Sequence, residues 1–448
     1  MTQDKLFIKT LFSIALPIML QNLLSSSLSF IDTLMIGQLG SNQIAAVGIA
    51  NQIFFLVNLF IFGIASGASI FFSQYYGAGR HNDLQKVTAL ALTISFIASL
   101  IFALVSFFTP QYIVYIFTDT PDVVSVSSEY QRLVAISYIF FAISFIHSIA
   151  FRSVGKAVIP LTATFVSLTL NAIGNYLLIF GIGPFPTLGA RGAAIATTIS
   201  RFIEMLIILT YTYIKKEPFR IKSINAFKWD ISFIKTYIIT CSPVLLNEIF
   251  WSLGMTAYKV GYSRLGVDTL ACINVSESIA NFFFVFIMGL GNATTIVLGQ
   301  IIGNGDLNRA KKGAKTTLKI ALLVGTLMGL SMAIFASTFT SWFKVSDEIR
   351  KMATYCLYVK AIFQPLCSLN MVLFVGILRS GGDTRYSLIA ETSCVWLIGV
   401  SMAFIGAAFL ALPIYIVVAM TSLEEVAKIL VVYPRYRSEK WVKSLAKH

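Results

Sequence analysis

Asp32 stands in the apolar stretch SFIDTLMIGQLG, 15 residues after Pro17, with no basic residue within a turn or two of it. An ionised side chain at the bilayer centre costs about 2.5–3.5 kcal/mol even on insertion scales, so it faces the protein interior. There it takes a proton, a metal cation, a cationic substrate or a distant base such as Arg132 or Lys360. Glu248, in PVLLNEIFWSLG, is a second such acid, read here as a site for a transported cation, with Lys360 as its structural partner otherwise. Asn171 and Asn175 lie one helical turn apart and share a face. Their amide oxygens suit a small hard cation such as Na+, or a protonated carboxyl group, although interhelical hydrogen bonding uses such residues too. Arg201 and Glu204 have i,i+3 spacing and can neutralise each other, while Glu424, Glu425 and Lys428 are expected to reach the headgroups. Structural roles are expected for Glu277 and Glu391.

These residues need long apolar elements to position them. Of 448 residues, 57% are hydrophobic and 12% charged, with a mean hydropathy of +0.80. A soluble domain carries about 25% charged residues, so the chain falls outside the globular class. The apolar blocks are each long enough to cross a hydrocarbon core of about 30 Å. Alternating ~10-residue strands are absent, which excludes an outer-membrane barrel. The expected fold is therefore all-α, with twelve transmembrane helices. They are placed near 11–36, 48–76, 87–108, 129–151, 160–182, 191–214, 233–262, 272–302, 317–338, 350–378, 385–406 and 409–433. The first is too long for a signal h-region and lacks a small-x-small cleavage site.

Charge sets the expected orientation. With twelve spans, 24 Lys and Arg fall on the side of the termini and five on the other. The positive-inside rule puts that side, and both termini, in the cytoplasm of a multi-pass cell (inner or plasma) membrane protein. The net charge of +14 is then a topology signal, and no nucleic-acid partner is expected. Five cysteines lack metal-type spacing, so neither a disulfide framework nor a zinc site is indicated.

The sequence also repeats. At an offset of 226 residues Pro17 falls on Pro243, Leu39-Gly40 on Leu265-Gly266, and Gln74, Gly77 and Gly79 on Gln300, Gly303 and Gly305. One residue further on, Arg152-Ser153 and Gly155 meet Arg379-Ser380 and Gly382. Six spans per half make this a parallel repeat, the arrangement of transporters in which two halves alternate around a substrate path. The expected domains are an N-lobe at 1–214, a basic linker at 215–235, a C-lobe at 236–434 and a basic tail at 435–448. An enzyme is not expected, because a His-rich metal motif, a Gly-x-Ser-x-Gly elbow and paired catalytic acids on one helix are lacking.

The FIDTLMIGQLG stretch after a first-span proline, the Gly77-x-Gly79 loop, the asparagine pair and the duplication together resemble the multidrug and toxic compound extrusion (MATE) family over essentially the whole chain. The resemblance implies a V-shaped pair of six-helix lobes that exports organic cations in exchange for inward Na+ or H+. By position it assigns cation coupling to Asp32, Asn171, Asn175 and Thr197, the last as a sixth-span hydroxyl in GAAIAT. Asp32, Asn171 and Asn175 would hold Na+ if that is the driver, and Asp32 and Glu248 would meet the substrate. The norfloxacin-efflux branch carries further C-lobe acids where this chain has Trp251 and Ser368, which leaves the N-lobe site as the main one. No cofactor is expected beyond the transported Na+ or H+. The expected partners are small amphipathic cations and the lipid bilayer, with the chain a monomer. The alternative is a lipid-linked oligosaccharide or peptidoglycan-precursor flippase of the same superfamily, whose cavity would need several Arg or Lys residues.

Overall fold

The computed structural model describes residues 3–445. Lys447, counted above with the cytoplasmic charge, and the end of the basic tail lie outside the described residues. Helix is the only regular structure among those described. In chain order the long helices are α1 (Gln3–Gly37), α2 (Ser41–Gly77), α3 (His81–Phe108), α4 (Pro121–Ala135 and Ser137–Ser153), α5 (Val158–Phe180) and α6 (Ala190–Ile214), then α7 (Ile231–Ser263), α8 (Val267–Gly303), α9 (Leu307–Ser341), α10 (Asp347–Leu378), α11 (Thr384–Phe409) and α12 (Ile414–Arg437).

Ten of these are long and apolar enough to cross a membrane, and α4 makes an eleventh when its two pieces, bent by 45°, count as one span. The bend falls inside the segment expected at 129–151 and divides it at Ile136. The sequence there, SSEYQRLVAIS, is polar before the break and apolar after it. Helix α12 has 24 residues, and its charged trio keeps it outside the strictly apolar set. Most helices start earlier than their apolar cores suggested, because polar residues such as Ser41–Gln43 and Asp347–Glu348 form their first turns. Ser346 caps α10 by accepting from Ile349 N at 3.3 Å, and Asp306 caps α9 by accepting from Arg309 N at 3.0 Å, satisfying donors that every helix start leaves open.

Contacts divide the chain into two compact units. One holds Leu20–Phe72 and Arg80–Tyr237; the other holds the chain up to Met19, Ser73–Gly79 and everything from Ile238 onward. The first unit packs a core that includes Val57, Ile61, Tyr138, Phe141 and Ala194. The second has its own core around Phe283, Met332, Leu357 and Val417. Lipid is as apolar as leucine, so helices associate through close packing at small residues. Gly325 and Gly329 on α9 show this: a Cβ at Gly325 would lie 2.8 Å from Pro365 Cα of α10, and one at Gly329 would lie 2.5 Å from Ala361 O.

The repeat has a conformational counterpart. Gly79 and Gly305 both take positive φ, at +68° and +86°, and so do Gly155 and Gly382, at +82° and +74°. These positions end helices at equivalent turns, where a Cβ would strain the backbone. In the second unit the ends of α2 and α8 cross reciprocally: a Cβ at Gly77 would strike the backbone of Gln300, and one at Gly303 would strike that of Gln74.

Candidate functional site

Helices α1, α5 and α6 converge on Asp32. Asn175 Nδ2 donates to Asp32 Oδ1 at 2.7 Å. Asn171 lies one turn back on the same face of α5, and both asparagines are buried. With its NH2 turned toward the acid, the Asn171 amide donates to both Asp32 oxygens at 3.2 Å, while its oxygen accepts from Thr197 Oγ1 and N at 3.2 Å. The bonding pattern selects that orientation, since the reverse faces oxygen to oxygen. Tyr130 of α4 hydrogen-bonds Thr197 and interacts electrostatically with Asp32. Three of the four residues assigned to coupling thus contact one another around the acid, and Thr197 joins them through Asn171.

Asp32 makes no ion pair among the described residues of its own unit, and Arg132 is not its partner there. Arg201 acts on it electrostatically. That guanidinium is engaged elsewhere: Nη1 lies 3.0 Å from Glu204 Oε2, as the i,i+3 spacing predicts, and the group stacks over Phe54 and Phe141. The carboxylate is held by neutral amides, which stabilise its charge without cancelling it. Asn175 Oδ1 is buried and accepts no hydrogen bond. Carboxylate and amide oxygens are the donor types that small hard cations take.

A second network in the same unit was not legible in the sequence. Arg152 Nη2 donates to Gln21 Oε1 at 2.5 Å, Gln21 Nε2 donates to Thr164 Oγ1 at 2.7 Å, and Thr164 donates to Glu204 Oε1 at 2.8 Å. Thr164 sits seven residues before Asn171, on the same side of α5, and that spacing was the available signal. Arg152 was expected among the cytoplasmic loop charges, yet it is buried at the end of α4. Arg379 is likewise buried.

In the other unit Glu248 accepts from Arg379 Nη2 at 2.9 Å. It is therefore paired, and with Arg379 rather than the anticipated Lys360. Glu277 pairs with Lys259 at 3.0 Å, since the α7–α8 approach brings them together. Glu424 and Lys428 were expected at the headgroups but are 5% exposed each, because that face of α12 packs against α7 and α10 through Tyr258 and Asn370.

Comparison with known proteins bears on this geometry. The chain matches the MatE family over residues 17–177 and 243–405, two segments that start at the repeated prolines. This protein is a multi-pass membrane transporter, and it belongs to the MatE family. It is 23% identical to the uncharacterized transporter YisQ of Bacillus subtilis, over 98% of this chain and 96% of that protein. To the probable multidrug resistance protein NorM of Thermotoga maritima it is 27% identical, over 66% and 64%. Its fold matches the bent form of the Vibrio cholerae MATE transporter VcmN with a TM-score of 0.88 at 19% identity, covering 99% of this chain and 100% of that one.

Proposed function

We propose that this chain is a secondary active antiporter that exports small amphipathic cations from the cytoplasm in exchange for inward Na+ or H+, by alternating access. The observation that carries the reading is Asp32: a carboxylate within a span, held by Asn175 at 2.7 Å and by Asn171, and free of any ion pair among the described residues of its own unit. Na+ would rest on Asp32 and the Asn175 amide oxygen as transported cargo, and on the Asn171 oxygen only if that amide turned over; a proton would rest on Asp32 itself. Thr197 orients Asn171. Driving ion and substrate take the same acid in turn, and that competition supplies the differential affinity any coupled exchange requires. One charge moving inward yields about 2.3 kcal/mol per 100 mV.

Glu248 enters this scheme through Arg379, which occupies its carboxylate, so the substrate cation is assigned to Asp32. The names of relatives called probable multidrug resistance proteins support drug export. The flippase alternative asks for basic groups open to a pyrophosphate. Arg152, Arg201, Arg379 and Lys428 are each engaged by a local acceptor instead. The reading further places the protein in the cell membrane with both termini in the cytoplasm.

The test is dye and drug efflux from proteoliposomes under separately imposed Na+ and proton gradients. One gradient should drive efflux in the wild type and fail to do so in Asp32→Asn. Driven efflux of equal rate in Asp32→Asn removes the assignment.

A further inference from the structure

In the unit that holds most of α7 and all of α8 to α12, several carboxyl groups gather around one lysine. Lys428 Nζ of α12 lies 3.2 Å from Glu424 Oε1 and 3.1 Å from Glu425 Oε1. The other oxygen of Glu424 accepts from the Tyr258 hydroxyl of α7, and the other oxygen of Glu425 accepts from Asn370 Nδ2 of α10 at 2.7 Å. Glu391 of α11 accepts from Asn247 Nδ2 of α7 at 2.9 Å and makes no ion pair among the described residues. It acts electrostatically on both Lys428 and Glu248, each of which already has a partner of its own. The remaining titratable groups facing the cluster are Tyr262 of α7, Cys367 of α10 and Cys394 of α11.

Four carboxyl groups, those of Glu248, Glu391, Glu424 and Glu425, thus share two cations, Arg379 and Lys428. Uncompensated charge in a buried site is costly, and such groups neutralise by taking up a proton or a counter-ion. A second, independent feature points to a ligand. Asn247 and Asn370 are each 4% exposed, each donates its NH2 to one of these acids, and each leaves its amide oxygen without a partner. A buried acceptor beside a carboxyl oxygen calls for an O–H donor, such as a protonated carboxyl group or a protonated water.

A metal ion fits less well. The Lys428 ammonium already lies between two of the carboxylates, and no three acidic, thiol or imidazole groups among the described residues are disposed to share a metal. The Glu425 side chain retains 16% exposure and Glu391 is half-buried. We propose that Glu391, Glu424 and Glu425, arranged around Lys428, form a second proton-binding site that holds at least one exchangeable proton.

The test uses the full-length purified protein carrying Asp32→Asn, so that the first site contributes no carboxyl signal and the outcome is independent of the exchange mechanism proposed above. Infrared difference spectra are recorded across a pH titration, in H2O and D2O, in the carbonyl-stretch region of protonated carboxylic acids. A band that shifts in D2O and disappears as pH rises is expected, and it should be lost in at least one of Glu391→Gln, Glu424→Gln and Glu425→Gln made in the same background. Absence of any such band in the Asp32→Asn protein overturns the proposal, and this result needs no cluster variant to fold. A band that persists unchanged in all three Gln variants overturns it as well, by placing the proton elsewhere.

Discussion

Arg379 Nη2 meets Glu248 Oε1 at 2.9 Å, and at the positions 227 residues earlier Arg152 Nη2 meets Gln21 Oε1 at 2.5 Å. The same contact between the same two places in the repeat is ionic in one half and neutral in the other. Each arginine ends up buried against an acceptor on the first helix of its own half, and only the charge of that acceptor has diverged.

The neutral copy shows what the ionic one can tolerate. Removing one partner of a buried ion pair costs about 3–5 kcal/mol, because a charge is left unpaired. Glu248→Gln should keep an acceptor for Arg379, as Gln21 does for Arg152, and unfold in detergent at a clearly higher temperature than Glu248→Ala. Equal unfolding temperatures would show that the pair has no such role.

Asp32→Asn should leave expression and thermal stability near wild type while cutting gradient-driven efflux by about tenfold or more, the factor that about 1.4 kcal/mol of lost coupling represents. Dye accumulation in cells expressing each form provides the comparison. Undiminished efflux at normal expression is the contrary outcome.

Asn175→Ala removes both a donor to Asp32 and the unused amide oxygen. Hydrogen bonds to charged groups contribute about 1.5–3 kcal/mol, so the half-saturating concentration of the driving ion should rise roughly 10- to 100-fold. Ion titrations of efflux in proteoliposomes measure this, and an unchanged midpoint would remove Asn175 from the site.

Gly77→Ala and Gly303→Ala each drive a methyl group into the backbone of the other helix. Overpacking of this kind costs about 1–3 kcal/mol. Each variant should therefore lose thermal stability, and to a similar degree, because the contact is reciprocal. Ala at Gly48, where a Cβ would meet nothing within 4 Å, is the control that should be silent.

The fold was legible because apolar block length and a 226-residue offset are one-dimensional signals. The Asp32 site was legible for a related reason: an isolated acid in an apolar stretch and two asparagines a turn apart are local patterns. The partners of Glu248 and Glu391 were not, since Arg379 and Asn247 lie 131 and 144 residues away in the chain and no spacing rule joins them. Glu424, Glu425 and Lys428 misled because a charged trio late in a span looks the same whether its face meets headgroups or Tyr258 and Asn370. The bend in α4 escaped because a hydropathy window reads across Ile136 without sensing the change of direction.

The reciprocal crossing of α2 and α8 bears on ancestry. Glycine against glutamine backbone, answered by glutamine backbone against glycine, is the pattern two identical chains produce where they touch across a dyad. A gene fusion would have inherited that contact ready-made, and each partner would then have constrained the mutations open to its twin.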